Sequence, residues 1–293
     1  MVRKPPWLRR RLPKGGAFEQ VRGLIHAGRV HTVCQEAQCP NMWECFSRHT
    51  ATFLIMGPRC TRRCRFCAVE HGPSGPPDTE EPARVAEMVK RMGLHYVVIT
   101  SVTRDDLPDG GTGLFAATIE AIRGRVPDAL VEVLIPDLQG SIDALRTVLD
   151  ARPAVLNHNI ETVPRLYPLV RPGADYHRSI EIFRNAGAYA PGIPLKSGLM
   201  LGLGESGEEV KETLGDLRAA GCSILTLGQY LQPTRDHLPV ERFVPPEEFD
   251  RWKGIALGMG FSDAASGPFV RSSYRARDLY RNAQGEALST NAH

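Results

Sequence analysis

The chain is 293 residues long, 42% hydrophobic and 24% charged, with a formal net charge of +3. Apolar side chains are abundant enough for a substantial core, which excludes a disordered chain. A charge this small gives no argument for nucleic acid, and no apolar run is long enough for a membrane-spanning helix, so neither partner is expected.

Arg3, Lys4, Arg9, Arg10, Arg11 and Lys14 crowd the first fourteen residues. They read as a solvated tail or as a basic arm that docks on an acidic partner surface. No apolar run follows them, so they are not a secretory signal, and a cytoplasmic, reducing setting is expected. Residues 1–50 read as irregular, with Pro5, Pro6, Pro13, Gly15 and Gly16 as breakers.

From residue 51 short apolar runs alternate with amphipathic stretches. The predicted strands are Thr52 to Met56, His95 to Thr100, Leu130 to Ile135, Ala154 to Asn157, Lys196 to Leu201 and Ile224 to Gly228. The predicted helices are Glu80 to Met92, Gly113 to Arg125, about Ser141 to Ala151, about Ser179 to Gly187, Glu208 to Ala220 and Pro246 to Met259. Six βα repeats suit a partial (β/α)6 TIM-like barrel, an α/β fold whose active site lies at the strands' C-terminal ends. An open doubly wound sheet is the competitor; polar residues just after many strands favour the barrel. The expected division is an N-terminal extension over 1–50, the barrel over 51–260 and a C-terminal tail over 261–293, the two extensions covering the barrel mouth.

Seven cysteines are present, and six of them fall between residues 34 and 67. An odd number without a secretion signal argues against a disulfide framework and for metal. Cys60, Cys64 and Cys67 form C-x3-C-x2-C. Three thiolates on one loop can grip three corners of a cubane and leave the fourth iron open to a small molecule. A zinc knuckle completed by His71 is the alternative. Cys34, Cys39 and Cys45 form C-x4-C-x5-C and can hold a second cluster. Cys222, entering a strand, reads as a core thiol.

The C-x3-C-x2-C set after the first strand resembles the radical S-adenosylmethionine superfamily. Together with CQEAQCPNMWEC, TSVTRDDLPDGG, HNIETV, KSGLMLGLGE and GPFVRSSYRA, the chain resembles the lipoyl synthase family along most of its length. The resemblance implies two 4Fe–4S clusters and S-adenosyl-L-methionine, whose reductive cleavage gives a 5′-deoxyadenosyl radical. It implies that Cys60, Cys64 and Cys67 ligate the catalytic cluster. It further implies that Cys34, Cys39, Cys45 and Ser273 ligate an auxiliary cluster consumed as the sulfur source. The activity implied is insertion of two sulfur atoms at carbons 6 and 8 of an octanoyl chain on a carrier lysine. The partners implied are octanoylated carrier domains (the 2-oxoacid dehydrogenase E2 and glycine cleavage H proteins), an electron donor such as ferredoxin or flavodoxin, and a cluster-repair protein. A biotin-synthase-like sulfur inserter and a non-catalytic iron–sulfur carrier are the alternatives.

Contacts to the cofactor are expected from the strand ends. Asn159 and Glu161 suit ribose hydroxyls or an amino group, or else a helix cap. Met200 and Gly202, with Gly198 and Gly204 nearby, suit close approach to a flat ligand. Arg171 suits a carboxylate or an exposed surface position. His49, His95 and His158 read as structural histidines, and Ser273 on its own reads as a loop or an N-cap.

Overall fold

A computed structural model describes residues 4–9, 16–48 and 50–285. Arg3, Arg10, Arg11, Lys14 and His49 lie outside the described residues. The elements in chain order are α1 (Ala17–Ala27), β1 (His31–Thr32), α2 (Val33–Glu36), α3 (Met42–Ser47), β2 (Thr52–Ile55), α4 (Glu81–Arg91), β3 (Tyr96–Ser101), α5 (Thr112–Arg125), β4 (Leu130–Leu134) and α6 (Ile142–Asp150). They continue with β5 (Val155–Asn157), α7 (Tyr167–Val170), α8 (Tyr176–Tyr189), β6 (Leu195–Leu201), α9 (Gly207–Ala219), β7 (Ile224–Gln229), α10 (Pro246–Gly258), β8 (Asp263–Gly267) and α11 (Ala276–Ala283).

The described strands form one eight-stranded sheet in chain order. β2 to β8 run parallel, and β1 pairs antiparallel with β2. This is the expected α/β partial barrel, with seven parallel strands where the sequence indicates six. The seventh, β8, is Asp-Ala-Ala-Ser-Gly, which has neither the β-branched nor the aromatic residues that mark a strand. Residues 17–27 and 276–283 also differ from the expected irregular ends, because each forms a helix. In α1, Phe18, Val21 and Ile25 are buried on one face at helical spacing.

Because partners in a parallel ladder point the same way, the register sorts the side chains into inward and outward sets. Outward residues such as Val97, Ile99, Val131, Val133, Leu225 and Leu227 are fully or almost fully buried under the helices. Inward residues near the base include a polar group: Lys196 Nζ donates to Glu132 Oε1 at 2.7 Å, Tyr96 Oη to Glu132 Oε2 at 2.7 Å and Asn157 Nδ2 to Glu132 Oε1 at 3.1 Å. Toward the mouth the β6–β8 side carries small inward residues: the ladder aligns Gly198 with Thr226 and, one level higher, sets Gly228 between Met200 and Gly267. Small residues there keep the mouth side of the barrel open, while the base is closed by a buried ion pair.

After β8 the chain crosses the mouth at residues 268–274, and α11 descends along the barrel. Its far end reaches the base, where the Tyr280 and Tyr96 rings lie 5.8 Å apart and Asn282 Nδ2 donates to Asp263 Oδ2 at 2.8 Å. The described residues include no helix long and apolar enough to cross a membrane.

Candidate active site

The loop after β2 begins with Met56 and Gly57, both left-handed at φ 69° and 79°. Met56 N–H donates to the buried Glu81 carboxylate at 2.6 Å, which fixes where the chain leaves the strand. The loop then carries Cys60, Cys64 and Cys67 over the mouth and is tied to four other βα loops. Thr61 N–H donates to Thr103 O at 3.0 Å beyond β3, and Arg65 N–H to Val170 O at 2.9 Å beyond β5. Arg62 is sandwiched between Asp105, at 2.6 and 2.9 Å, and Asp137 beyond β4, at 2.6 Å. From the loop after β7, Leu238 N–H donates to Arg65 O at 3.1 Å, and His237 Nε2 lies 3.0 Å from Cys67 O. A buried charge held by two carboxylates gives the loop a defined position before any ligand arrives.

The other cysteine set sits on short helices beside the same mouth. Thr32 caps α2, which carries Cys34; Cys39 N–H donates to Cys34 O at 3.0 Å, and α3 carries Cys45. Side-chain hydrogen bonds tie this segment to the C-terminal tail. Asn41 Nδ2 donates to Phe269 O at 2.6 Å, and Tyr274 Oη to Glu44 Oε1 at 3.2 Å. Ser273 lies between those tail contacts in a turn closed by Tyr274 N–H to Arg271 O at 2.9 Å. It does not cap α11; that position belongs to Arg275, at φ 53°. The two cysteine sets and Ser273 therefore gather around one opening, although Cys34 and Cys67 are 33 residues apart in sequence.

Burial pushes the thiols of Cys34 and Cys67 up to about 12, and it raises Cys64 as well, opposed by the positive charge of Arg171. Such thiols stay protonated in the metal-free protein, and metal binding must displace their protons. Among the described residues no three Cys, His, Asp or Glu side chains converge as around a single ion. A cubane instead takes one thiolate per iron, so its ligands stand farther apart. His71 is exposed and meets Cys60 only through a backbone bridge. No disulfide joins any of the cysteines.

Asn159 and Glu161 follow β5 as an irregular bend, not as a helix start, because the next helical turn begins only at Pro164. Glu161, left-handed at φ 64°, is laid on the end of β6 by its N–H to Gly198 O and by Met200 N–H to its own carbonyl, both 2.9 Å. Asn159 bridges the two sides of the mouth: its Nδ2 donates to Glu161 Oε1 at 3.0 Å, and its Oδ1 accepts from Ser272 Oγ at 2.7 Å. A Cβ on Gly198 would stand 2.7 Å from Asn159 Oδ1, 2.8 Å from Thr226 Oγ1 and 3.1 Å from Ser272 Oγ. Glycine is what lets these polar atoms converge there. Met200 points inward above Gly198 and is half-buried. Gly202 is confined by Gln229 and the carbonyl of Arg242, so protein packing alone requires glycine there.

Arg171 is buried, not exposed, and reaches Asn159 O and Tyr167 Oη at 3.0 Å and Ile160 O at 3.3 Å. Sequence reasoning missed Arg62, Asp137, Ser272 and Gly228, all of which shape the opening. The signal for Arg62, Ser272 and Gly228 is their position inside stretches read for neighbouring residues; Asp137 lies outside all of those stretches.

A family model described as the Radical SAM superfamily matches residues 54–217. The lipoyl synthase of Desulfotalea psychrophila is 60% identical over 97% of this chain and 95% of its own length. The chain belongs to the lipoyl synthase family. The lipoyl synthase of Rubrobacter xylanophilus is 54% identical over 97% of this chain and 89% of its own. Members of this family are radical S-adenosylmethionine sulfurtransferases with 4Fe–4S clusters, and their function implies lipoyl carrier proteins as substrates. Two solved structures show the same fold at low identity. A methylornithine synthase has a TM-score of 0.50 at 14% identity, covering 94% of this chain and 93% of its own. HydG, a maturase of the [FeFe]-hydrogenase, has a TM-score of 0.56 at 14% identity, covering 90% and 60%.

The residues present fit the family's cofactors. Two sets of soft donors flank a mouth lined by glycine and small polar side chains, and the buried Arg171 Nε there has no partner of its own.

Proposed function

We propose that this chain inserts two sulfur atoms, at carbons 6 and 8, into an octanoyl chain carried on the lysine of a lipoyl carrier domain. The observation that carries this reading is the pair of bonds from Asn41 and Tyr274 that join the first cysteine set to the RSSY tail beside the second set. Cys60, Cys64 and Cys67 hold the cluster that binds and reduces S-adenosylmethionine. Cys34, Cys39, Cys45 and Ser273 hold the auxiliary cluster that supplies sulfur. Bound together, these groups supply a radical able to reach unactivated carbons, which acid–base chemistry cannot.

The chain's own residues hold, orient and shield. Asn159 and Glu161 present amide and carboxylate groups toward the ribose or amino group of the cofactor, with Met200 and Gly202 on the adjoining strand end. A serine oxygen is a harder ligand than thiolate, which suits a cluster that must give up an iron. Residues 1–50 supply the auxiliary site, residues 51–260 the barrel and residues 261–293 the tail, whose strap over the mouth at 268–274 carries Ser273. The carriers are the E2 and H proteins, electrons come from a ferredoxin or flavodoxin, and a repair protein rebuilds the auxiliary cluster. A cysteine set of this kind belongs in the reducing cytoplasm.

The test is anaerobic incubation of reconstituted protein with octanoyl-lysyl peptide, reductant and S-adenosylmethionine. Dithiolated peptide is the expected product; none, from protein with an intact auxiliary cluster, sinks the assignment. Turnover of free dethiobiotin instead would favour a biotin-synthase-like activity.

A further inference from the structure

Two buried guanidinium groups flank Cys64, and their charges are handled differently. Arg62 is matched by two carboxylates, Asp105 and Asp137. Arg171, 8% exposed, has hydrogen bonds only to the carbonyls of Asn159 and Ile160 and to the Tyr167 hydroxyl. Its guanidinium also lies 5.3 Å over the Tyr167 ring. None of these partners carries a full negative charge, and Nε is buried without any partner. The Arg65 N–H bond to Val170 O, 2.9 Å long, lays the Cys64–Arg65 backbone alongside Val170–Arg171.

The carboxylates of Glu161 and Asp137 act on Arg171 only through space, without a hydrogen bond or ion-pair contact, unlike those that clamp Arg62. Burying a cation with no carboxylate in contact is costly, so a site that keeps one there gains when negative charge arrives nearby. An electron entering a cubane on the cysteine loop is such a charge. Potentials of these clusters respond to net charge and to hydrogen bonding around the sulfurs. We propose that Arg171 is a positioning residue that stabilises the reduced cubane on Cys60, Cys64 and Cys67 and so sets its reduction potential. This rests on the reading that those three cysteines hold a cubane. The same guanidinium fixes the Asn159–Ile160 turn, which couples the electron-accepting side of the mouth to the cofactor-facing residues. Arg62 contributes less to the potential, because its carboxylates already offset it.

The experiment compares R171K, which keeps the charge, with R171Q, which removes it but retains an N–H for the carbonyls. Both are made in full-length protein carrying Cys39→Ala, so that one cluster is titrated. Iron and sulfide counts establish the cubane, and an EPR-monitored dithionite titration without S-adenosylmethionine gives its midpoint. The expected result for R171Q is a reduced-to-oxidised ratio at least about tenfold lower at fixed potential, a shift of ~59 mV to more negative values. R171K should stay near the parent. A cubane kept by R171K and lost by R171Q also supports dependence on charge. R171Q with a full cubane and the parent midpoint overturns the proposal, as does an equal shift, or equal loss of the cubane, in both variants. A parent protein with no cubane on this loop would overturn the site assignment itself, a separate and distinguishable failure.

Discussion

Gly228→Ala isolates the strap from the rest of the barrel. Gly228 points inward near the end of β7, and a Cβ there would fall well inside van der Waals contact of the Val270 carbonyl oxygen and 3.2 Å from Arg271 Nη1. The obstacle includes backbone, so the strap must lift; overpacking of this kind costs about 1–3 kcal/mol. The side-chain bonds that hold the strap down include Asn41 to Phe269, Ser272 to Asn159 and Tyr274 to Glu44. At a net value of roughly 1 kcal/mol each they total about 3 kcal/mol, the same size as the strain. Alanine should therefore raise the open population of residues 268–275 by about tenfold or more and displace Ser273, two residues beyond Arg271. Hydrogen exchange on those residues should accelerate, and sulfur insertion should fall about tenfold. Deoxyadenosine formation, proposed to depend on the Cys60, Cys64 and Cys67 set and not on Ser273, should largely remain. Gly254→Ala on α10, where a new Cβ meets open space, is the control and should be neutral or stabilising by ~0.5–1 kcal/mol. Unchanged exchange and full sulfur insertion in Gly228→Ala would refute the steric argument.

Cys64→Ala should abolish deoxyadenosine formation, whereas Cys39→Ala should abolish sulfur insertion and leave cofactor cleavage; equal loss of both activities in the Cys39 variant would contradict separate roles. Lys196→Met leaves Glu132 buried without its cation and should cost about 3–5 kcal/mol in urea unfolding, partly recovered by adding Glu132→Gln. Burial, reinforced by the charge of Arg171, lowers His158 from its ordinary 6.5 to about 4. The folded state therefore binds fewer protons than the unfolded chain between those values. The stabilisation is fully present above pH 6.5 and is lost as pH falls toward 4, a change of roughly 3 kcal/mol. His158→Gln should flatten that acid limb of the stability curve, and an unchanged limb would assign it to other groups.

The barrel was legible because β2 to β7 are apolar runs separated by helices with one buried face. The ends were not. β8 is Asp-Ala-Ala-Ser-Gly, with Ala265 and Gly267 inward and Ala264 and Ser266 outward under the helices, and none of these residues signals a strand. The two cysteine sets stood out because three thiols on one short segment have few other uses. Arg62 and Asp137 gave no such signal, since a buried charge pair is recognisable only once β2 and β4 are neighbours of the same mouth. Gly228 was equally silent, because its role depends on a segment some forty residues later in the chain. Arg171 read as easily as a surface residue; the α7 turn and the Tyr167 ring are what bury it.

The central claim is that two thiol sets anchor two separate cubanes at one mouth. Anaerobic iron and sulfide counts test it most directly, on the parent protein and on variants with each cysteine set replaced in turn. Two cubanes' worth of iron and sulfide are expected in the parent and one in each variant. Zinc in place of iron, or a single cubane in the parent however it is reconstituted, would contradict it.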